Sequence, residues 1–342
     1  MSNVTSTPID MNRTAAPATA PKRSRGPRLT GVVWLTWRQH RAAYWTILAG
    51  AAFSVLWMTI QRADLIDFLT IHGWPGELSA DWVQGAGTYS AMFNKVGLGL
   101  GFIPLVLGVF LGAPLLAGDL ESGTAKLVTS QTVSPNKWLA AKLGISTVVV
   151  VVCMTAISLV FGWWWAPVKD ENNILDWTAG AAFDNTGLVP VALTLFTVVG
   201  GVAIGMVLRR TLLAMVVTFV FGVVVQVVWA MNRLNLGQVV TRTTDKGVDG
   251  SSFPKVPSGS LQLDQSYVTG AGDTLGTSTC VHAASKEARA VCLEKADIVG
   301  WSVDYLPMSQ MSGMQWLGSS ILLGMTAAVA GFIFIWTRKR LV

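Results

Sequence analysis

GDLESGTAKLVTSQTVSPNKWLAAKL, residues 118–143, is a short polar stretch set between two long apolar runs. An irregular, charged backbone is not stable facing lipid, so this stretch must lie in water between two membrane crossings. Asp119 and Glu121 open it, Gly123 and Thr124 follow, and Lys126, Lys137 and Lys142 supply positive charge. Asp119 to Thr124 reads as a helix ending, with Gly123 turning the chain and a new short helix starting near Thr124 or Ala125. Ser134-Pro135-Asn136 is a second turn, after which Lys137 to Lys142 lead into the next apolar run.

The bulk of the chain fits that reading. Its 342 residues are 51% hydrophobic and only 13% charged, too apolar for an ordinary soluble domain. Six runs approach the roughly 20 apolar residues needed to cross a hydrocarbon core of about 30 Å. They are residues 44–60, 96–117, 143–165, 188–208, 212–231 and 316–336, and none holds Asp, Glu, Lys or Arg in its interior. The expected fold class is therefore all-α: a polytopic membrane protein of six transmembrane helices, residues 44–342.

A formal net charge of +6 would suit nucleic acid if it were spread over one surface. It is instead sorted along the chain. With the N-terminus inside, the inner segments hold 15 basic and 3 acidic residues and the outer ones 10 basic and 16 acidic. That asymmetry sets orientation, places both termini in the cytoplasm of a multi-pass plasma-membrane protein, and leaves no nucleic acid partner. Residues 1–28 are rich in Thr, Ala, Pro and Ser and read as a disordered basic tail drawn to anionic membrane lipid. They do not read as a cleavable signal. Residues 29–43, with Val33, Trp34 and Trp37 at helical spacing and Arg38 and Arg41 near one end, read as an interfacial elbow helix, the plainer alternative being an extension of the first span.

Outside, residues 61–95 carry Trp74-Pro75-Gly76 and Trp82 and suggest partial insertion among the headgroups. Residues 232–315 form the largest extracellular loop, rich in Gly, Ser and Thr, a composition that argues against a compact domain. Cys280 and Cys292 fall in it. A straight helix between them would part their Cα atoms by about 18 Å, against roughly 5.5 Å for a disulfide, so pairing requires the chain to fold back. The alternative is two unpaired thiols. Cys153 reads as a small buried hydrophobe.

The order Glu121, Gly123-Thr124, then Thr129 to Ser134, then Lys137 to Leu143 between two apolar spans resembles the permease subunits of type-2 ATP-binding-cassette (ABC) exporters, especially those of high-GC Gram-positive bacteria. Thr36 to Arg41 share that resemblance, while Pro135 and Asn136 depart from it. The resemblance implies a cytoplasmic coupling helix between the second and third spans, seated on a separate cognate ABC ATPase. Glu121, Gly123, Thr124, Ser130, Gln131 and Lys137 then become the coupling contacts. A second permease subunit, as a homodimer or a related chain, completes the assembly it implies.

The remaining candidates are intramembrane. Pro104 and Pro114 each remove a helix donor from the second span, which is expected to be kinked, with polar groups or neighbours covering the freed carbonyls. Hinge and close glycine packing are both open readings there; Gly201 and Gly205 form a small-xxx-small pair that reads as packing. Gln226 is the most polar side chain deep in any run and either bonds a neighbouring helix or lines a pathway.

No G-x-x-x-x-G-K-[ST] phosphate loop occurs, so this chain binds no cofactor of its own, and ATP and Mg belong on the partner ATPase. No metal-binding cluster and no nucleophile–base pair is legible, so it is not read as an enzyme. The favoured reading is a permease exporting a hydrophobic or amphipathic compound, since uncharged spans disfavour ions. An ion-coupled secondary transporter, or a membrane-anchored sensing or scaffold protein acting through residues 232–315, are the alternatives.

Overall fold

A computed structural model describes residues 31–76, 79, 81–124, 134–170, 174–249 and 251–340. Six of its helices are long and apolar enough to cross a membrane. They are Gly31–Ile71 (span 1), Trp82–Glu121 (span 2), Pro135–Val168 (span 3), Val189–Leu208 (span 4), Thr211–Leu236 (span 5) and Met308–Lys339 (span 6). The architecture is that of a multi-pass helical membrane protein.

Span 4 is the axis of the bundle. Its sequence, VPVALTLFTVVGGVAIGMVL, is apolar on every side, which suits a helix enclosed by others. Spans 2, 3, 5 and 6 all pack on it. Span 1 leans on span 3, where Tyr44 and Ser146, both buried, share a hydrogen bond of 3.0 Å. Higher up, Phe93 of span 2 stacks on Trp164 of span 3 at 4.0 Å between ring centroids, filling the gap between those helices.

Span 2 is broken twice. Phe102 interrupts the helix just before Pro104, and a π-helical turn, Gly108–Gly112, precedes Pro114. Each break answers a proline that cannot donate to the carbonyl four residues back. Across the π turn, the Ala113 N–H reaches the Gly108 carbonyl, five residues back. The turn is clamped against span 4, since a methyl on Gly112 would lie 2.4 Å from Val198 O and one on Gly201 only 2.6 Å from Gly108 O.

Two boundary expectations need correction. Nothing separates an elbow at residues 29–43 from the first span, because helix runs unbroken from Gly31 to Ile71. The stretch LTWRQHRAAYWTIL has no proline or glycine to stop a helix, so the alternative of an extended first span is the one found. Residues 61–95 are likewise mostly helical: the ends of spans 1 and 2 form a hairpin that buries Leu65, Leu69, Trp82 and Ala86. An apolar run reports only the part of a helix that lipid requires to be apolar.

The segment between spans 5 and 6 is also more ordered than its glycine content suggests. It folds as a four-stranded antiparallel sheet in the order β1-β4-β2-β3. The strands are Val240–Thr243 (β1), Leu261–Thr269 (β2), Thr274–Gly276 (β3) and Ile298–Leu306 (β4). Tyr267, Val303, Tyr305 and Leu306 are buried, and Tyr267 packs on Trp301 at 4.7 Å. A surface helix, Lys286–Lys295, is capped by Ser285, whose hydroxyl accepts the Ala288 N–H. Cys280 and Cys292 are bonded as a disulfide with Cα atoms 5.9 Å apart. Cys280 has φ +66°, and the chain doubles back between the two cysteines to enter this helix.

Candidate functional site

At the end of the bundle opposite the sheet, span 2 closes on a polar knot. Asp119 and Lys142 are buried and form an ion pair. The ammonium's other neighbours are the Leu115 carbonyl at 3.1 Å and His40 Nε2 at 3.4 Å. The Asp119 carboxylate, the Leu115 carbonyl and, in the tautomer that leaves Nε2 bare, His40 thus surround the Lys142 amine with three acceptors. On the other side, Gln39 Nε2 donates to Asp119 Oδ1 at 2.8 Å, and the Thr124 hydroxyl approaches the same oxygen at 3.4 Å. The Trp138 ring lies 5.1 Å from the ammonium.

Beside this knot, Glu121 ends span 2 and accepts the Thr211 N–H at 2.9 Å, capping the first turn of span 5. Gly123 follows with φ +72°, a conformation costly for residues with a Cβ, and Thr124 is helical. Span 3 opens at Pro135, with Ser134 extended before it and Lys137 exposed in its first turn. The structure therefore gathers Glu121, Gly123, Thr124 and Lys137 at one end of the bundle. Ser130 and Gln131 lie outside the described residues.

The second polar feature lies toward the sheet. Asn185 donates to Gly97 O at 2.9 Å, Gln226 to Gly101 O at 2.8 Å and the Thr197 hydroxyl to Pro104 O at 2.7 Å. These three side chains, from the loop before span 4, span 5 and span 4, meet carbonyls along the interrupted stretch of span 2. A cleft of about 440 Å³ opens beside them, lined by Leu98, Phe102, Leu193 and Trp229 together with Asn185 and Gln226. Asp184 is the one acid on its wall among the described residues, and it is engaged by Arg233 at 2.5 Å and by Trp229 Nε1 at 2.7 Å. Burial pushes that carboxyl above the usual carboxylate range, and the Arg233 charge pulls against the shift.

The amides in this wall have a fixed sense. A backbone carbonyl can only accept, so the atoms facing Gly97 O and Gly101 O are N–H groups. No donor among the described residues reaches the side-chain oxygens of Asn185 or Gln226. What the cleft offers is the amide oxygens of Asn185 and Gln226, one further amide N–H on each of Asn94 and Gln226, apolar surface and no unpaired charge.

Gly205 packs in the same manner as Gly201, with a methyl there lying 2.3 Å from Ala113 O. Pro104 and Pro114 coincide with the two interruptions of span 2. Sequence reading missed the pairing of Asp119 with Lys142 and the parts of Gln39 and His40. The available signal was an acid and a base placed at the two points where the chain leaves and re-enters the apolar bundle. Among the described residues, no three His, Cys, Asp or Glu side chains gather as a metal site.

A family model described as "ABC-2 membrane transporter related" matches residues 48–233. The match runs from within span 1 to the sheet-side end of span 5 and includes Asp119, Lys142 and the cleft, while Gln39 and His40 precede it. No curated protein and no solved structure gives a significant match to the chain.

Proposed function

Because the chain belongs to the ABC-2 membrane transporter related family, and is thus a transmembrane subunit of an ABC transporter, we propose that it is the permease of an ATP-driven exporter in the plasma membrane. The observation that carries this reading is the polar segment between spans 2 and 3. It leaves and re-enters the bundle through Asp119 and Lys142, and its described flanks present Glu121, Gly123, Thr124 and Lys137. A cognate ATPase, carrying ATP and Mg, seats on this segment, including Ser130 and Gln131. A second permease subunit, identical or related, completes the pathway. Both termini and the segment face the cytoplasm, and the sheet faces outward. The sorting of basic residues to the inner segments supports that orientation.

The cargo is a hydrophobic or amphipathic compound such as a drug, antibiotic, lipid or peptide. The cleft beside Gln226 supports this class, because a largely apolar wall carrying amide oxygens favours a ligand with an apolar body and hydroxyl or amide donors. No lysine or arginine lines the cleft among the described residues to hold an anion. Ion-coupled transport is less well supported: the buried Asp119–Lys142 pair is saturated by its own neighbours and is not part of the cleft wall.

Co-purification with a co-expressed candidate Walker-motif ATPase tests the assignment. The intact permease is expected to retain the ATPase, and a variant lacking residues 130–137 to lose it while still inserting in the membrane. Equal retention by both would refute the coupling role. Surface labelling of an epitope placed after Thr124 on intact cells would refute the orientation.

A further inference from the structure

The buried ion pair lies outside the cleft wall, and its polar partners all come from this chain. Asp119 is 7% exposed and Lys142 is fully buried. The polar partners facing them from every packed element are Gln39 and His40 of span 1, Leu115 O of span 2 and Thr124 beyond its end. Tyr44 and Ser146 sit one turn further into the bundle and bond each other. Two of the elements joined here, spans 2 and 3, are the two ends of the proposed coupling segment. The third, span 1, has no other tie to that segment among the described polar contacts.

We infer that Asp119 and Lys142 are positioning residues: their pair clasps the mouth of the coupling segment, so that a push on it moves the ends of spans 1, 2 and 3 as one body. The physical basis is asymmetric cost. Separating the pair leaves a charge buried without its partner, which is strongly unfavourable, whereas moving it as a unit leaves every partner in place. Span 5 is held by different contacts, the apolar packing of Ala214 on Ala113 and Ala117 and the exposed Glu121 cap, which can slip without burying a charge. The clasp therefore divides the inner end of the bundle into a body that follows the ATPase and a helix that lags it. This inference rests on the permease reading.

The test has two arms, both on the full-length chain. In detergent, D119N and K142M each lower the midpoint of thermal unfolding by several degrees, and D119N/K142M recovers at least half of that loss, since no lone buried charge remains. Unchanged midpoints in both single variants overturn the inference without touching the permease reading. In nanodiscs with the ATPase bound, spin labels at Ile71→Cys and Met231→Cys, in a Cys153→Ala background, report the separation of spans 1 and 5 near the sheet. Trapping with ATP and vanadate is expected to shift that distance in the otherwise unaltered chain and to leave it fixed in D119N/K142M. A refolded double variant that keeps the shift has no need of the clasp and overturns the inference. Failure of the unaltered chain to bind the ATPase refutes the permease reading instead, and the detergent arm still reports on the pair.

Discussion

Gly205 of span 4 meets Ala113 of span 2 backbone to backbone: a methyl on Gly205 would lie 2.3 Å from the Ala113 carbonyl oxygen. Together with Gly112 against Val198 and Gly201 against Gly108, this makes the π turn of span 2 the most tightly held part of the bundle. A movable joint in span 2 would then sit at Phe102, where the helix is interrupted, and not at the glycines.

Gly205→Ala and Gly112→Ala should each force the two helices apart or distort them, at about 1–3 kcal/mol. Gly144→Ala is the control, because a methyl there meets nothing within 4 Å and replaces glycine in a helix. Thermal unfolding of the purified variants in one detergent decides the matter. Equal midpoints for Gly205→Ala and Gly144→Ala would show that the helices are not in backbone contact.

The sequence made the six apolar runs legible because lipid imposes one demand, about 20 uncharged residues, on every crossing helix. The same demand hid the rest. Residues 61–71 and 82–95 continue the helices of spans 1 and 2 beyond their apolar runs, and QRADLIDFLTI shows no such run, so they read as a separate segment inserted among the headgroups. The sheet was obscured by averaging over a long glycine-rich loop, although IVGWSVDYL, β4, is rich in β-branched and aromatic residues and bounded by Asp297 and Pro307. Gln226 stood out as a lone amide among valines, whereas Asn185 and Thr197 did not, because nothing local says which carbonyls a donor will meet. Asp119 and Lys142 are 23 positions apart, and only the packing of spans 2 and 3 makes them partners.

Glu121 should act through span 5. Glu121→Ala removes the acceptor for the Thr211 N–H, so hydrogen exchange at the first amides of span 5 should quicken, while those in the middle of span 5 keep their protection. Glu121→Gln retains an acceptor oxygen and should fall between the two. If exchange at Thr211 is the same in all three proteins, the carboxylate is not capping that helix.

Gln226→Leu keeps the side chain's bulk and deletes the donor to Gly101 O. The loss is about 1 kcal/mol, typical of one interhelical hydrogen bond in a membrane protein. Under the proposed exporter function the larger consequence is for cargo. A cleft that has lost an acceptor should hold donor-bearing amphiphiles less well, raising the concentration needed for half-maximal stimulation of the ATPase while leaving the unstimulated rate alone. Stimulation unchanged across a panel of neutral amphiphiles would remove Gln226 from the pathway.

The helix Lys286–Lys295 buries none of its residues, so packing contributes little to its position. Arg289 bonds the Tyr267 hydroxyl at 2.9 Å, and the Cys280–Cys292 bridge closes a loop of 12 positions. Closing a loop of that size is worth about 3 kcal/mol to the segment it constrains. Cys280→Ser with Cys292→Ser should therefore melt the helix locally, and trypsin should cut at Lys286, Arg289 and Lys295 at least tenfold faster. The strands need not follow, because β2 and β4 are joined by eight residue pairs and bury Tyr267 and Tyr305 without help from the bridge. Nor should the spans, whose contacts lie elsewhere. A parent protein cut as fast as the serine variant would show that the bridge does not hold this helix, and loss of the intact six-span core would show that the sheet and the bundle unfold together.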